Sequence, residues 1–240
     1  MKRDYLSYSA LKAFGKSPNH YIQYVNGERV ESPEMKFGTA FHTYILEPHL
    51  FEKKYYVMPK VDRRTKAGKL EFEKHTNLSS DRIVIDEGDL SKIFEMAASI
   101  KNNEIAHSMM SEAGTSEVPL TGKIKGVEFK GFADRITQFG VWDLKTTQDA
   151  EAKGFQRSAY NMDYFLQAAV YSELTGRKDM RWLAVEKLPP YNVGVFQINR
   201  ESLAFSRLRL LRLVDEFKAW DGKPRSYNDH VQTLWLPNWA

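Results

Sequence analysis

Cysteine is missing from all 240 residues, and its absence removes disulfides, thiolate zinc sites, iron–sulfur clusters and a cysteine nucleophile together. Any metal in this protein must be held by oxygen and imidazole. Long hydrophobic runs are missing too. No stretch reaches the roughly 18 apolar residues of a membrane helix, and the opening MKRDYLSYSA has neither the apolar segment nor the cleavage site of a signal peptide. A cytoplasmic protein with no membrane association is the expectation. Internal repeats, low-complexity tracts and Pro/Ser-rich linkers are absent. So is the nucleotide-binding motif G-x-x-x-x-G-K-[ST], which excludes a helicase motor.

What is present suits one globular domain over residues 1–240: 42% hydrophobic and 28% charged residues are enough for a buried core and a solvated surface. The net charge is +4 and the sequence pI about 9.0, a mild bias that helps a polyanion approach. The stretch KVDRRTKAGK concentrates this charge in Arg63, Arg64, Lys66 and Lys69 without apolar periodicity, and reads as an exposed basic loop.

The first quarter is helical by its signals. Ser9 can cap ALKAF, Pro18 can open PNHYIQYV, and PEMKFGTAFHTYILEP runs from one proline to another with His42 inside it. The alternation in RIVID predicts a strand over 82–86, and DLSKIFEMAASIKNNEIAHSMMSE has the spacing of one long amphipathic helix. From Thr115 to Thr147 the period becomes two, giving three strands broken at TGKIKG and TQFG, an antiparallel meander. A helix over DYFLQAAVYSELTG closed by Gly176 follows, then strands near RWLAVEKL and NVGVFQIN, then a long helix through ESLAFSRLRLLRLVDEFKAW. This order predicts an α/β fold, a mixed central sheet flanked by helices with an N-terminal helical addition.

Within the meander, VWDLKTT carries an Asp-x-Lys, a tripeptide expected roughly once by chance in a chain this long. Its neighbours give it meaning. A tight turn at Gln138 and Phe139, or a three-residue one including Gly140, sets Asp134 opposite Asp143 within a residue of register. Two carboxylates facing each other across strands repel unless a cation lies between them. That cation is either a divalent metal or the ammonium of Lys145, which shares a strand face with Asp143 while Trp142 and Leu144 point the other way. His42 is either a packed helix residue or a ligand, with Gly38 and Ala40 leaving room for close approach. Gln167 and Tyr171 stand four apart on one helix face, as a core-edge pair or as part of a site.

Taken together, a helix histidine, an aspartate before a turn, D-x-K and then Q-x-x-x-Y on the next helix resemble the RecB-like branch of the PD-(D/E)xK nuclease superfamily. FGTAFHTYILEPHLFEKKYYVMPKVDRRTKAGK, DLKTT and the terminal LPNWA are similar to the nuclease domain of the RecE family, over nearly the whole chain. One departure is Ala133-Asp134 where the motif reads Pro-Asp, and proline supplies no ligand. The resemblance implies a PD-(D/E)xK nuclease core and a 5′→3′ double-strand DNA exonuclease that leaves 3′ overhangs for recombination. It implies Mg²⁺, replaceable by Mn²⁺, held by His42, Asp134, Asp143 and the carbonyl of Leu144, with Asp134, Asp143, Lys145, Gln167 and Tyr171 as the catalytic set. Arg63, Arg64 and Lys66 would contact DNA phosphates. Double-stranded DNA ends, a RecT-type single-strand annealing protein and a homo-tetrameric ring are the implied partners. Glu117 in SEVPL stays open between a supporting site residue and a solvated strand charge. A structure-selective or restriction endonuclease on the same core, and a DNA-end-binding or phage structural protein on a degenerate nuclease fold, are the alternatives.

Overall fold

A computed structural model describes residues 3–27, 32–225, 227, 231 and 233. The short strand β1 (Tyr5–Leu6) leads into helix α1 (Tyr8–Lys16). Its cap is Ser7, whose hydroxyl accepts from the Ala10 amide at 3.2 Å. Ser9, the expected cap, lies inside the helix, because Ser7 is three residues ahead of an amide that needs an acceptor. Helix α2 (Pro18–Asn26) starts with proline behind Ser17, and α3 (Pro33–Leu46) with proline behind Ser32. Helix α4 (Pro48–Lys54) and strand β2 (Tyr55–Met58) follow.

The basic stretch is only half loop. Thr65 caps α5 (Lys66–Leu78), so Arg63 and Arg64 occupy a turn and Lys66 opens a helix. Strand β3 (Ile83–Asp86) pairs in parallel with β2 in a separate two-stranded sheet. The long helix expected next is two, α6 (Glu87–Asn102) and α7 (Glu104–Ser111). Asn103 leaves the helical region and its side chain takes the Ala106 amide at 2.9 Å, so one residue ends the first helix and caps the second.

The meander forms as predicted: β4 (Gly114–Ile124), β5 (Val127–Thr137) and β6 (Gly140–Thr147). After it come α8 (Ala152–Asn161), α9 (Tyr164–Thr175), β7 (Met180–Glu186), β8 (Val193–Gln197) and α10 (Arg200–Ala219). The main sheet has the order β1-β5-β6-β7-β8, with β4 on the other edge of β5. It is mixed: β6 and β7 run parallel while β5–β6 and β7–β8 are antiparallel.

Each face of the sheet meets its own core. Val141, Trp182 and Ala184 pack with residues of α1, α2, α8, α9 and α10. Trp142, Leu144, Leu183 and Val185 pack with α3, α4, α6 and α7. Burial on both faces explains why RWLAVE reads as an almost unbroken apolar run. Among the described residues no helix is long and apolar enough to cross a membrane.

Candidate active site

The site is built where β5 runs out of neighbours. One edge of β5 pairs along its length with β4, while the other meets β1 only at Glu128 and Phe129 and β6 only from Arg135 to Thr137. Between those two pairings residues 130–134 have no strand on that edge among the described residues. The β5–β6 turn is the two-residue one at Gln138 and Phe139, since Thr137 pairs with Gly140. Gly140 has φ 154°, and a Cβ there would stand 2.2 Å from the Asp179 carbonyl oxygen, so only glycine fits. Arg135 opposite Trp142 is the last ladder pair, and one step further the same register reaches Asp134 and Asp143. There the strands separate: the Leu144 amide donates to Asp134 Oδ2 at 2.7 Å instead of continuing the ladder.

Asp143 and Lys145 point to the face covered by α9, opposite to buried Trp142 and Leu144. Asp143 is 1% exposed and forms an ion pair with Lys145. Gln167 Nε2 donates to Asp143 Oδ1 at 2.9 Å and to the Tyr171 hydroxyl at 3.1 Å. The Lys145 ammonium also lies 4.7 Å from the centre of the Tyr164 ring. Helix α9 thus roofs the D-x-K strand with Tyr164, Gln167 and Tyr171 on successive turns of one face.

His42 reaches the opening from α3, its Nδ1 3.5 Å from Asp134 Oδ2. Glu117 completes the cluster from β4. It stands opposite Asp134, flanked by the pairs Ser116–Arg135 and Val118–Ala133, in a left-handed conformation with φ 50°. His42, Glu117 and Asp134 each offer a ligand atom within 4.8 Å of the others, and all three are partly exposed. Glu117 is therefore a member of the cluster and not a solvated strand charge. Counting the β4–β5 register back from the Lys125-Gly126 turn would have found it. Strand β5 also changes face here: Ala133 packs in the α9-side core, yet Arg135 two residues on lies over Trp142 of the other core, 6.0 Å away. Strict alternation would keep both on one face, so Asp134 sits at a break in the pleat.

The electrostatics describe a cluster with more carboxylates than cations. Desolvation and the nearby Asp134 charge raise the Asp143 pKa to about 6. Desolvation, Asp134 and Glu47 raise Glu117 to about 7. Asp134 is raised by desolvation, against the pull of Lys145. His42 is lowered to about 4 by desolvation and by Lys145, with the Asp143 charge and the Leu144 backbone acting in the opposite direction. Burial disfavours the Lys145 ammonium, but Asp143 and Asp134 outweigh it and raise its pKa, so the lysine stays charged. Asp143 Oδ2 is taken by Lys145, which leaves Gln167 Oε1 buried without a hydrogen bond among the described residues. Two hard carboxylates, a neutral imidazole and an orphaned buried oxygen nearby fit a Mg²⁺ or Mn²⁺ ion, which would relieve the excess negative charge.

Arg63, Arg64 and Lys66 do not join this cluster. The Arg64 guanidinium is bound to Asp62 at 2.9 and 3.0 Å, and Arg63 lies over Phe72 at 4.8 Å. All three are exposed.

A family model described as a PDDEXK-like domain of unknown function (DUF3799) matches residues 7–225. Among solved structures, a candidate exonuclease from Eubacterium rectale is similar with a TM-score of 0.57 at 18% identity, over 89% of this chain and 82% of that one. An alkaline exonuclease (LHK-Exo) from Laribacter hongkongensis aligns with a TM-score of 0.35 at 11% identity, over 90% and 89% of the two chains. No curated protein matches. The mixed sheet flanked by helices expected from the sequence is therefore the PD-(D/E)xK nuclease fold, and the chain belongs to the PDDEXK-like family DUF3799.

Proposed function

We propose that this protein is a divalent-metal-dependent 5′→3′ exonuclease of RecE type, acting on double-stranded DNA ends and leaving 3′ overhangs for a RecT-type annealing protein. The observation that carries the nuclease reading is the meeting of His42, Glu117 and Asp134 with the Asp143–Lys145 pair at the open edge of β5. Cutting a phosphodiester needs a nucleophilic water and stabilisation of charge on the phosphoryl oxygens. His42, Asp134, Asp143 and the Leu144 carbonyl, with Glu117 beside them, would hold a Mg²⁺ ion, which would supply Lewis acidity for both needs. Mn²⁺ substitutes because imidazole suits it.

Lys145 orients the attacking water and then faces the developing negative charge, a role for a compact ammonium kept protonated by its carboxylates. Gln167 fixes the Asp143 carboxylate, and Tyr171 takes the second amide hydrogen so that the glutamine holds one orientation. Arg63, Arg64 and Lys66 supply phosphate contacts that carry no sequence information. The ring follows from the RecE likeness, with exposed Leu208 on α10 as one point of subunit contact. The terminal LPNWA lies outside the described residues.

The test is incubation of linear duplex labelled at either the 5′ or the 3′ end with Mg²⁺, with EDTA, or with Ca²⁺. Mg²⁺-dependent release of mononucleotides from 5′ ends, with covalently closed circles left intact, is expected. Cutting of closed circles would replace the proposal by the endonuclease alternative. Binding without any cleavage would replace it by the end-binding one.

A further inference from the structure

A groove of about 1570 Å³ lies between α1, α8 and α10, beside the α8–α9 corner. Its volume exceeds the roughly 300–1,000 Å³ of pockets that enclose one compact ligand. Lys12, Lys16, Lys153 and Arg157 line it. Among the described residues no carboxylate forms an ion pair with Lys16, Lys153 or Arg157. Of the two carboxylates in the lining, Asp163 is held by the Arg209 guanidinium at two points, which leaves Glu201 against the four cations. The lining also presents rings to water: Tyr160 is 78% exposed and Phe205 72%. A groove of cations without carboxylate partners, interleaved with exposed rings, matches a chain of phosphates and bases. Rings of that kind can stack only on bases that are out of their pairs.

The groove is fixed to the catalytic cluster. The Tyr8 hydroxyl and the Lys12 ammonium both donate to the Met162 carbonyl, at 2.6 and 2.7 Å, and so tie α1 to the corner between α8 and α9. Two residues later Tyr164 lies against Lys145.

We propose that this groove holds an unpaired stretch of the strand being cut, with phosphates against Lys12, Lys16, Lys153 and Arg157 and bases on Tyr160 and Phe205. The identity of the strand rests on the nuclease reading, whereas affinity for unpaired nucleic acid does not. The experiment is fluorescence anisotropy of a labelled oligothymidylate of about 12 nucleotides, within the usual range of such sites, titrated with the whole protein in EDTA so that nothing is cut. Tyr160→Ala and Phe205→Ala should each weaken binding about tenfold, the effect expected of removing one stacking platform, at unchanged Tm. Lys153→Glu with Arg157→Glu should lower the salt dependence of binding by about 0.7 for each phosphate that is no longer neutralised. Oligothymidylate affinity equal to wild type in both sets of variants would overturn the proposal, whether or not the protein cuts DNA. Variants that weaken duplex binding while sparing oligothymidylate would do the same and assign the groove to duplex. A wild-type protein that binds oligothymidylate through these residues yet cuts no DNA would keep the groove and sink the nuclease reading.

Discussion

Asp143 and Lys145 meet beneath α9 with Asp143 almost wholly enclosed, whereas His42, Glu117 and Asp134 gather where β5 has lost a neighbour and stay partly open to solvent. In the enclosed half every position is set by a regular element: β6 alternation, the parallel pairing to β7 and the one face of α9. The open half depends on irregular backbone, the φ 50° of Glu117 and the pleat break at Asp134. Regular structure can hold a charge pair that must not move. Carboxylates that have to meet an incoming cation need an opening, which here is made by interrupting two ladders around one residue.

The largest effect should come from the enclosed half. Lys145→Ala leaves two carboxylates without their cation, so cleavage should fall roughly 10²–10³-fold. The metal-free protein should also melt roughly 10 °C lower near pH 8, because the cluster already has more carboxylates than cations and then keeps no ammonium at all. Activity lost with no change in melting would show that the pair is less enclosed than its geometry states.

Asp143→Asn should act on stability in the opposite sense. The raised Asp143 pKa means that the neutral carboxyl favours the fold: that contribution is complete below the ordinary aspartate value and is lost as pH climbs through about 6. Near pH 8 in EDTA the asparagine variant should therefore melt higher than wild type by roughly 5 °C, and near pH 4 it should not, while remaining inactive with Mg²⁺. Calorimetry at the two pH values decides it, and a variant less stable at both would break the comparison.

His42→Ala probes the open half, where metal response should change and folding should not. About tenfold more Mg²⁺ is expected for half-maximal cleavage, with Tm within roughly 2 °C, the range of an exposed-site change. A large drop in Tm with a normal Mg²⁺ response would make His42 a packing residue.

The smallest effect belongs outside both halves. Arg63→Ala with Arg64→Ala should lower the salt slope of duplex binding by only about one unit rather than two, since Arg64 is already paired with Asp62. A fall of two units would mean that Arg64 leaves Asp62 for phosphate.

The enclosed half is legible in the sequence because it obeys period rules. The turn at Gln138 and Phe139, the shared face of Asp143 and Lys145, and the four-residue spacing of Gln167 and Tyr171 all follow from strand and helix repeats. The helix break at Asn103 is not, although an asparagine followed by glutamate is a start signal, because the apolar spacing runs on across it. Helix α5 is hidden by Gly68 and a charged surface, and α8 by having few apolar residues. Glu117 cannot be decided without the register of β4. The groove escapes for another reason. Its lysines and rings come from α1, α8 and α10, and no local pattern joins residues so far apart in sequence.

That separation also orders the birth of the molecule. Helix α1 packs against α10, with Phe14 5.2 Å from the Phe217 ring and 5.5 Å from Trp220, and β1 must wait for β5 to exist before it can pair. A ribosome delivers α1 first and α10 last. Helix α1 can lean early on α2, with the Phe14 ring 6.1 Å from Tyr21, but the groove's third wall is α10, so the groove can close only once that helix has emerged. A nascent chain therefore has its D-x-K strand before α1, α8 and α10 stand together, so the catalytic strands precede the groove beside them.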